Sequence, residues 1–356
     1  MDGFSNFDFV LWGFLATLVV SALIVVTKPY HRKLSLDDMD GVQKFHSTPT
    51  PRIGGVALLA GLVVTWLAQT GETKALFGWV FLAVSPVLAF GLAEDITNKI
   101  SVKVRLVATL SAGVLFVLLT GSSIEKVYVW WFDFLLANPV FSIAFTAFAI
   151  ASATNALNII DGFHGLASGT VLLMLASICI VAWGAGDVVL FNITLSILAV
   201  TGGFFVVNFP FGKLFLGDGG AYTLGFLVAA LTVLIPARNP EISPWISPLI
   251  LSYPLTELVV SISRKIRRKG HHPGQPDSFH LHMLVHKFYA HRLPEKLQAE
   301  SIRHALTSLT LWIFPISSLI LVSLSGFTAD FAIRSIIGIF IGYLIIYFLA
   351  QRKNLD

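Results

Sequence analysis

Long apolar runs alternate with short polar breaks along nearly the whole chain. Eleven of these runs approach the roughly 20 residues that a bilayer-spanning helix needs. They cover about 8–27, 52–69, 76–94, 104–121, 137–154, 166–184, 188–207, 219–236, 244–263, 305–324 and 330–350. No internal repeat or low-complexity tract interrupts them, and the longest polar segment is 264–303. The pattern predicts an all-α fold: a polytopic integral membrane helix bundle of about eleven transmembrane helices. It forms a single domain over 1–356, with a cytoplasmic basic and histidine-bearing loop at 264–303 and two C-terminal helices within 305–350.

Composition makes lipid the solvent. Hydrophobic residues are 55% of the chain, charged residues 12%, and the mean hydropathy is +0.79, a balance that a soluble chain of 356 residues does not need. Cys179 is the only cysteine. It excludes an intramolecular disulfide or a thiolate metal cluster and reads as a small buried apolar residue. Asp2 and Asp8 precede the first run and no basic residue does, so a retained first helix is expected rather than a cleaved signal peptide.

Charge sets an orientation. With the N-terminus outside, 20 of the 24 Lys and Arg fall on the inward side, leaving Lys74, Lys126, Arg238 and Arg334 outside. The positive-inside rule then predicts a periplasmic N-terminus and a cytoplasmic C-terminus. The segment 127–136, with Trp130, Trp131 and Phe132, becomes part of an outer aromatic belt. Arg264–Lys269 reads as an anchor to anionic head groups.

The polar chemistry collects on the same inward face. Asn155, Asn158 and Asp161 fall three apart at the end of the fifth run, roughly on one helix face. Amide and carboxylate oxygens there suit a hard cation or a polar ligand; a plain polar helix cap is the competing reading. Glu94-Asp95 end the third run. Adjacent carboxylates raise one another's pKa and oppose the helix dipole at a C-terminus, which favours a general base or an outer metal partner over a solvated helix end. Phe215–Gly220 resembles a glycine turn opening a helix. Its backbone N–H groups can hold phosphate and Asp218 can hold Mg²⁺, although such turns are common without either. His280 and His282, two apart, suit a phosphate contact better than a zinc pair; His286 and His291 read as solvated. Glu257 lies about 10 Å inside the ninth run and has to be paired, for support of a site or of the fold.

Taken together these pieces resemble the polyprenyl-phosphate N-acetylhexosamine-1-phosphate transferases, from about Asp40 to Lys287. The matching pieces are Lys44-Phe45-His46 with Pro51-Arg52-Ile53-Gly54-Gly55, Glu94-Asp95, Ser101-Val102-Lys103-Val104-Arg105, Asn155-x-x-Asn158-x-x-Asp161-Gly162, Asn208, Phe215-Leu216-Gly217-Asp218, and Asp277 with His280-Leu281-His282. Each alone is weak, and their order on one membrane face is specific. The His-Leu-His form resembles the bacterial glycan-initiating branch rather than the phospho-MurNAc-pentapeptide transferases. Glu94 replaces the usual first Asp of the acid pair, Met283 a third histidine, and His164 the usual Asp or Asn of the central motif.

The resemblance implies transfer of a sugar-1-phosphate from a UDP-sugar to undecaprenyl phosphate at the cytoplasmic face of a bacterial inner membrane, beginning a lipopolysaccharide or other surface glycan. It implies Mg²⁺, with Mn²⁺ as substitute, on Asp218 with Asn158 beside it. Lys44, His46, Lys103, Arg105 and Asn155 would bind substrate. Asp95, helped by Glu94, would position or deprotonate the acceptor phosphate, and His280 and His282 would contact the diphosphate. Asn208, Phe215 and Asp161 match uridine-binding positions, and His164 would face the uracil. Partners are membrane lipid and the two substrates, with no nucleic acid; a homodimer is left open. A secondary transporter, which would place its ionisable groups near the midplane, and an iron-dependent membrane oxidase, which would need helical histidine clusters, fit the residues less well.

Overall fold

The computed structural model describes residues 8–35, 49–267, 279–294 and 299–353. Among the described residues the regular elements are sixteen helices: α1 (Asp8–Val26), α2 (Lys28–Ser35), α3 (Gly54–Ala68), α4 (Gly71–Thr97), α5 (Val102–Thr120), α6 (Trp130–Leu136), α7 (Pro139–Ile160), α8 (Leu166–Gly184), α9 (Val188–Asn208), α10 (Gly217–Arg238), α11 (Ile246–Ile250), α12 (Ser252–Arg267), α13 (Leu281–Arg292), α14 (Glu300–Leu311), α15 (Ile313–Leu324) and α16 (Ala329–Lys353). Nine segments among them are long and apolar enough to cross a bilayer: α1, α4, α5, α7, α8, α9, α10, the near-continuous α14–α15 pair, and α16.

Two of the eleven expected runs differ. The run at 52–69 becomes the 15-residue α3, about 22 Å long and short of the ~30 Å hydrocarbon core. Pro51 and the close-packed Gly54 hold its first residues in an extended segment. The run at 244–263 breaks at Leu251 into α11 and α12. Pro254 has no N–H for the carbonyl of Ile250 and its ring crowds that turn, so one straight helix cannot form. The fifth run, in contrast, extends inward to Ile160. Asn138 caps α7 by accepting from Val140 N (2.9 Å) and Phe141 N (3.3 Å), with Pro139 at the first helical position, where a missing N–H costs nothing.

α10 is the axis of the bundle. Every residue from Gly219 to Ile235 is buried. It packs on α3, α4 and α7 at positions where one side has no side chain. A Cβ on Gly91 of α4 would lie 2.6 Å from Gly219 Cα, and one on Gly225 would lie 3.0 Å from Thr154 Cα of α7. Between lipid-facing helices the hydrophobic effect contributes little, so this close backbone approach supplies the attraction. At the far end of α10, Arg238 makes a two-pronged ion pair with Asp187 (2.7 and 3.0 Å), which itself caps α9 through Leu190 N (3.0 Å), and reaches Glu72 of α4 at 3.1 Å. One of the four cations expected outside is therefore neutralised in place.

Gly91→Ala puts a methyl against backbone that cannot yield. It should destabilise by about 1–3 kcal/mol and lower the unfolding temperature in detergent by several degrees. Gly202→Ala, whose methyl meets only the Phe14 ring edge at 3.6 Å, should leave that temperature unchanged; circular dichroism melts of the two variants check the contrast.

Candidate active site

The ends of α4, α7 and α9 and the starts of α3, α5 and α10 meet at one end of the bundle. The segment at Pro51–Gly55 pairs with the segment leading into α10: Phe215 N–H donates to Pro51 O (2.8 Å), Gly54 N–H to Phe215 O (3.0 Å) and Gly55 N–H to Leu216 O (3.2 Å). Only glycine fits at 54, where a Cβ would fall 2.6 Å from Phe215 O. This pairing delivers Arg52 to the end of α4, where it donates to Asp95 (3.2 and 3.3 Å) and to Asn98 Oδ1 (3.1 Å).

Asp95 then closes onto α10. Its two carboxylate oxygens accept from Asp218 N–H (2.7 Å) and Gly219 N–H (2.8 Å), the first free amides of that helix. Gly217 makes room: its φ is +66°, and a Cβ there would lie 2.5 and 2.6 Å from the carboxylate oxygens. The amides expected to cradle a phosphate are thus already filled by an internal carboxylate. Glu94, its sequence neighbour, points elsewhere and accepts from Ile100 N–H (2.7 Å), shaping the turn before α5.

Asp218 stands beyond this anchor. Arg105 of α5 forms an ion pair with it, and Asn158 Nδ2 donates to its other oxygen (3.1 Å). The Arg105 guanidinium lies 5.9 Å from the Tyr222 ring. Its Nε is buried with no hydrogen-bond partner among the described residues, which leaves donor capacity for an anion. Asn155 donates instead to Ala151 O of its own helix (2.7 Å) and to Thr109 Oγ1 (3.4 Å). Asp161 is the C-cap of α7. Burial pushes its carboxyl up to about 7 against the opposing pull of Arg52. Lys103 is exposed on the first turn of α5. Lys44, His46, Asp40 and Asp277 lie outside the described residues.

The histidine segment arrives from the other side. His280 Nδ1 bonds to Glu257 Oε1 (2.8 Å), and Tyr343 Oη donates to Glu257 Oε2 (2.6 Å). Glu257 is fully buried, and its pairing holds His280 and Tyr343 together. With Nδ1 turned to the carboxylate, Nε2 of His280 is the ring nitrogen turned away from Glu257. His282 stacks on His280 at 5.4 Å and lies against Gly162, where a Cβ would be 3.1 Å from its Nε2. Burial holds the His282 imidazole down at about 3, so it is neutral throughout the physiological range. His286 is buried and stacked on Phe163 at 4.7 Å, which corrects its reading as a solvated residue; His291 is exposed.

Asn208 frames the site. Its Oδ1 accepts from Gly165 N–H (2.7 Å) and Ser168 Oγ (3.3 Å), and its Nδ2 donates to Leu214 O (2.8 Å). It therefore ties the central motif to the segment before α10. Phe215 and His164 lie side by side, ring centres 5.7 Å apart. Two participants carry little sequence signal: Arg52 has no role of its own within its motif, and Tyr343 sits in a helix that reads only as a span.

Residues 77–235, from α4 through α10, match the model of glycosyl transferase family 4; that stretch contains Glu94, Asp95, Arg105, Asn158, Asp161, Asn208 and Asp218. The probable undecaprenyl-phosphate N-acetylglucosaminyl 1-phosphate transferase of Bacillus subtilis (strain 168) is 27% identical over 315 residues, 87% of this chain and 84% of that protein. The undecaprenyl-phosphate alpha-N-acetylglucosaminyl 1-phosphate transferase of Escherichia coli (strain K12) is 28% identical over 278 residues, covering 75% and 74%. The corresponding protein of Yersinia pestis is 26% identical over 272 residues, covering 74% and 73%. The acid, amide and arginine groups that converge at one end of the bundle thus lie within the stretch over which the chain is similar to glycosyl transferase family 4.

Proposed function

We propose that this protein transfers a sugar-1-phosphate from a UDP-sugar to undecaprenyl phosphate, forming the lipid-diphosphate sugar and releasing UMP. The observation that carries it is the group Asp218–Arg105–Asn158 beside Asp95–Arg52 and Asp161, in a chain whose relatives bear that activity in their names. The acceptor phosphate oxygen attacks the β-phosphorus, and the bond from that phosphorus to the oxygen bridging the two phosphates breaks. The bridging oxygen leaves on UMP.

The donor set fits Mg²⁺: Asp218 supplies a carboxylate next to the Asn158 amide, and Mg²⁺ takes one or two such oxygens plus water and phosphate. Bound there, Mg²⁺ or Mn²⁺ neutralises the diphosphate and withdraws charge from the phosphorus under attack. Arg105 holds Asp218 in this structure, and its spare Nε is the donor that turns to phosphate. Asp95, saturated by Arg52 and two amides, positions Arg52 and the start of α10. Asp161, with a carboxyl near 7, is matched to the second ionisation of the acceptor phosphate, at about 6 for a phosphate ester. His280, oriented by Glu257, offers Nε2 to the diphosphate, and Phe215 with His164 flanks the place of the uracil ring.

The lipid tail has its own place. A cavity of about 840 Å³ lies among Lys126, Trp131, Pro236 and Trp245 at the end of the bundle away from the site, and follows α7 past Phe145 as far as Ala153. Asn158 follows five residues later, about 7–8 Å along the helix. A polyprenyl chain lying there brings its head group to the site. This arrangement belongs with eleven membrane passes, α3 and α11–α12 included, and with a periplasmic N-terminus, so that the site faces the cytoplasm of a bacterial inner membrane.

Membranes containing the protein, given undecaprenyl phosphate and a panel of UDP-sugars, should form a sugar-lipid and UMP with at least one donor; no product with any donor would sink the assignment. Asp218→Asn should keep the melting temperature and lose turnover at least a hundredfold at limiting Mg²⁺; near wild-type turnover would remove the metal assignment. Glu257→Ala leaves His280 and Tyr343 with one buried partner fewer, about 1–3 kcal/mol each. It should lower both stability and kcat, while Glu257→Gln restores stability more than kcat; equal recovery of both would reduce Glu257 to a structural group. A tag after Asp356 should be protected in intact cells and one before Gly3 accessible from outside, as the charge asymmetry requires; the reverse result would place the site on the wrong face.

A further inference from the structure

A second polar cluster joins His164, at the edge of the proposed uracil place, to two residues of α14 that have no part in the proposed transfer. Glu300 and His304 stand four apart on α14 and therefore share one helix face. His164 approaches them from the turn between α7 and α8. One ligand atom from each of the three lies within 4.8 Å of the others. His164 is 6% exposed and His304 2%, and their ring centres are 4.2 Å apart.

The surroundings look built. His164 Nδ1 bonds to Pro210 O at 3.1 Å. A backbone carbonyl only accepts, so Nδ1 carries the proton, the orientation in which a neutral imidazole ligates through Nε2. The ring rests on Gly212, whose φ is +60° and where a Cβ would lie 2.3 Å from Nε2. The same face of α14 is pinned to the same turn at its next positions. Ser308 Oγ donates to His164 O (2.7 Å), and Trp312 Nε1 donates to Leu166 O (3.4 Å).

We propose that His164, Glu300 and His304 form a site for one divalent transition-metal ion of the zinc class, with a fourth position open to water, clamping α14 onto the turn that carries Asp161. Two imidazoles and one carboxylate are a known three-ligand set for zinc. Metal–ligand bonds of 2.0–2.1 Å give a tetrahedral edge of about 3.3 Å, so the ligand atoms close by at most about 1.5 Å. Nitrogen donors select such ions over Mg²⁺, which prefers oxygen, and this separates the site from Asp218.

The test uses the full chain, purified in detergent through a tag without histidine, stripped with chelator and titrated with Co²⁺ in excess Mg²⁺. One equivalent should bind with the visible absorption of low-coordinate Co²⁺, Zn²⁺ should displace it, and the melting temperature should rise on binding. Glu300→Gln and His304→Ala should each weaken Co²⁺ binding at least tenfold. The melt of each stripped variant reports whether it folds. If His304→Ala does not fold, Glu300→Gln decides. No saturable Co²⁺ site, displacement by Mg²⁺, or an unchanged spectrum in the folded variants would overturn the proposal, the last by assigning the ion to other histidines.

Discussion

Asp95 carries an unusual share of the architecture. It sits 2% exposed at the end of a membrane helix, where an isolated carboxylate would be costly. Arg52 meets it from one side and the first amides of α10 from the other. The two partners are of different kinds: Arg52 supplies a full charge, and the helix start supplies oriented dipoles worth a partial one. Removing a single member of such a group strands the rest, a loss of about 3–5 kcal/mol for buried pairs. The contact also fixes geometry. It sets where α10 begins, and therefore where Asp218 stands relative to Arg105 and Asn158, and it holds α3 in place through the pairing of Pro51–Gly55 with Phe215–Leu216.

Much of this was legible before the structure. Apolar run length located all nine described segments long enough to cross a bilayer, because in lipid the backbone has to satisfy itself within each segment, but not the short α2, α6 and α13. The grouping of Asp95, Asn158, Asp161, Asn208 and Asp218 on one side pointed to the candidate site, because polar groups at membrane helix ends are expensive unless paired. Boundaries failed where a local rule outweighed hydropathy. Pro254 divided α11 from α12, and the extended segment at Pro51 shortened α3. Asn155 was placed with Asn158 by spacing, yet its amide returns to its own helix at Ala151.

Partners were the part that spacing could not reach. A glycine turn before a helix advertises free amides, but only the fold shows that Asp95 arrives there first. His286 reads as solvated in a polar segment, and Phe163 covers it from 123 positions away in sequence. Tyr343 sits in an apolar helix with nothing local to mark it, and its role exists only because α16 passes Glu257. Long-range pairing of this kind leaves no trace in composition or period.

The ion pair between Arg105 and Asp218 has a consequence for how charged ligands would enter. The chain carries its own counter-ion, so Asp218 is electrically satisfied before any ligand arrives. A cation entering there has to displace a guanidinium, and the guanidinium then needs an anion of its own. Cation and anion entry are thereby coupled as an exchange of partners. Each improves the other's affinity by the same factor, as linkage demands, and neither gains much alone. Under the proposed function, Mg²⁺ and free phosphate would each meet a closed corner when alone, and the two delivered together would open it.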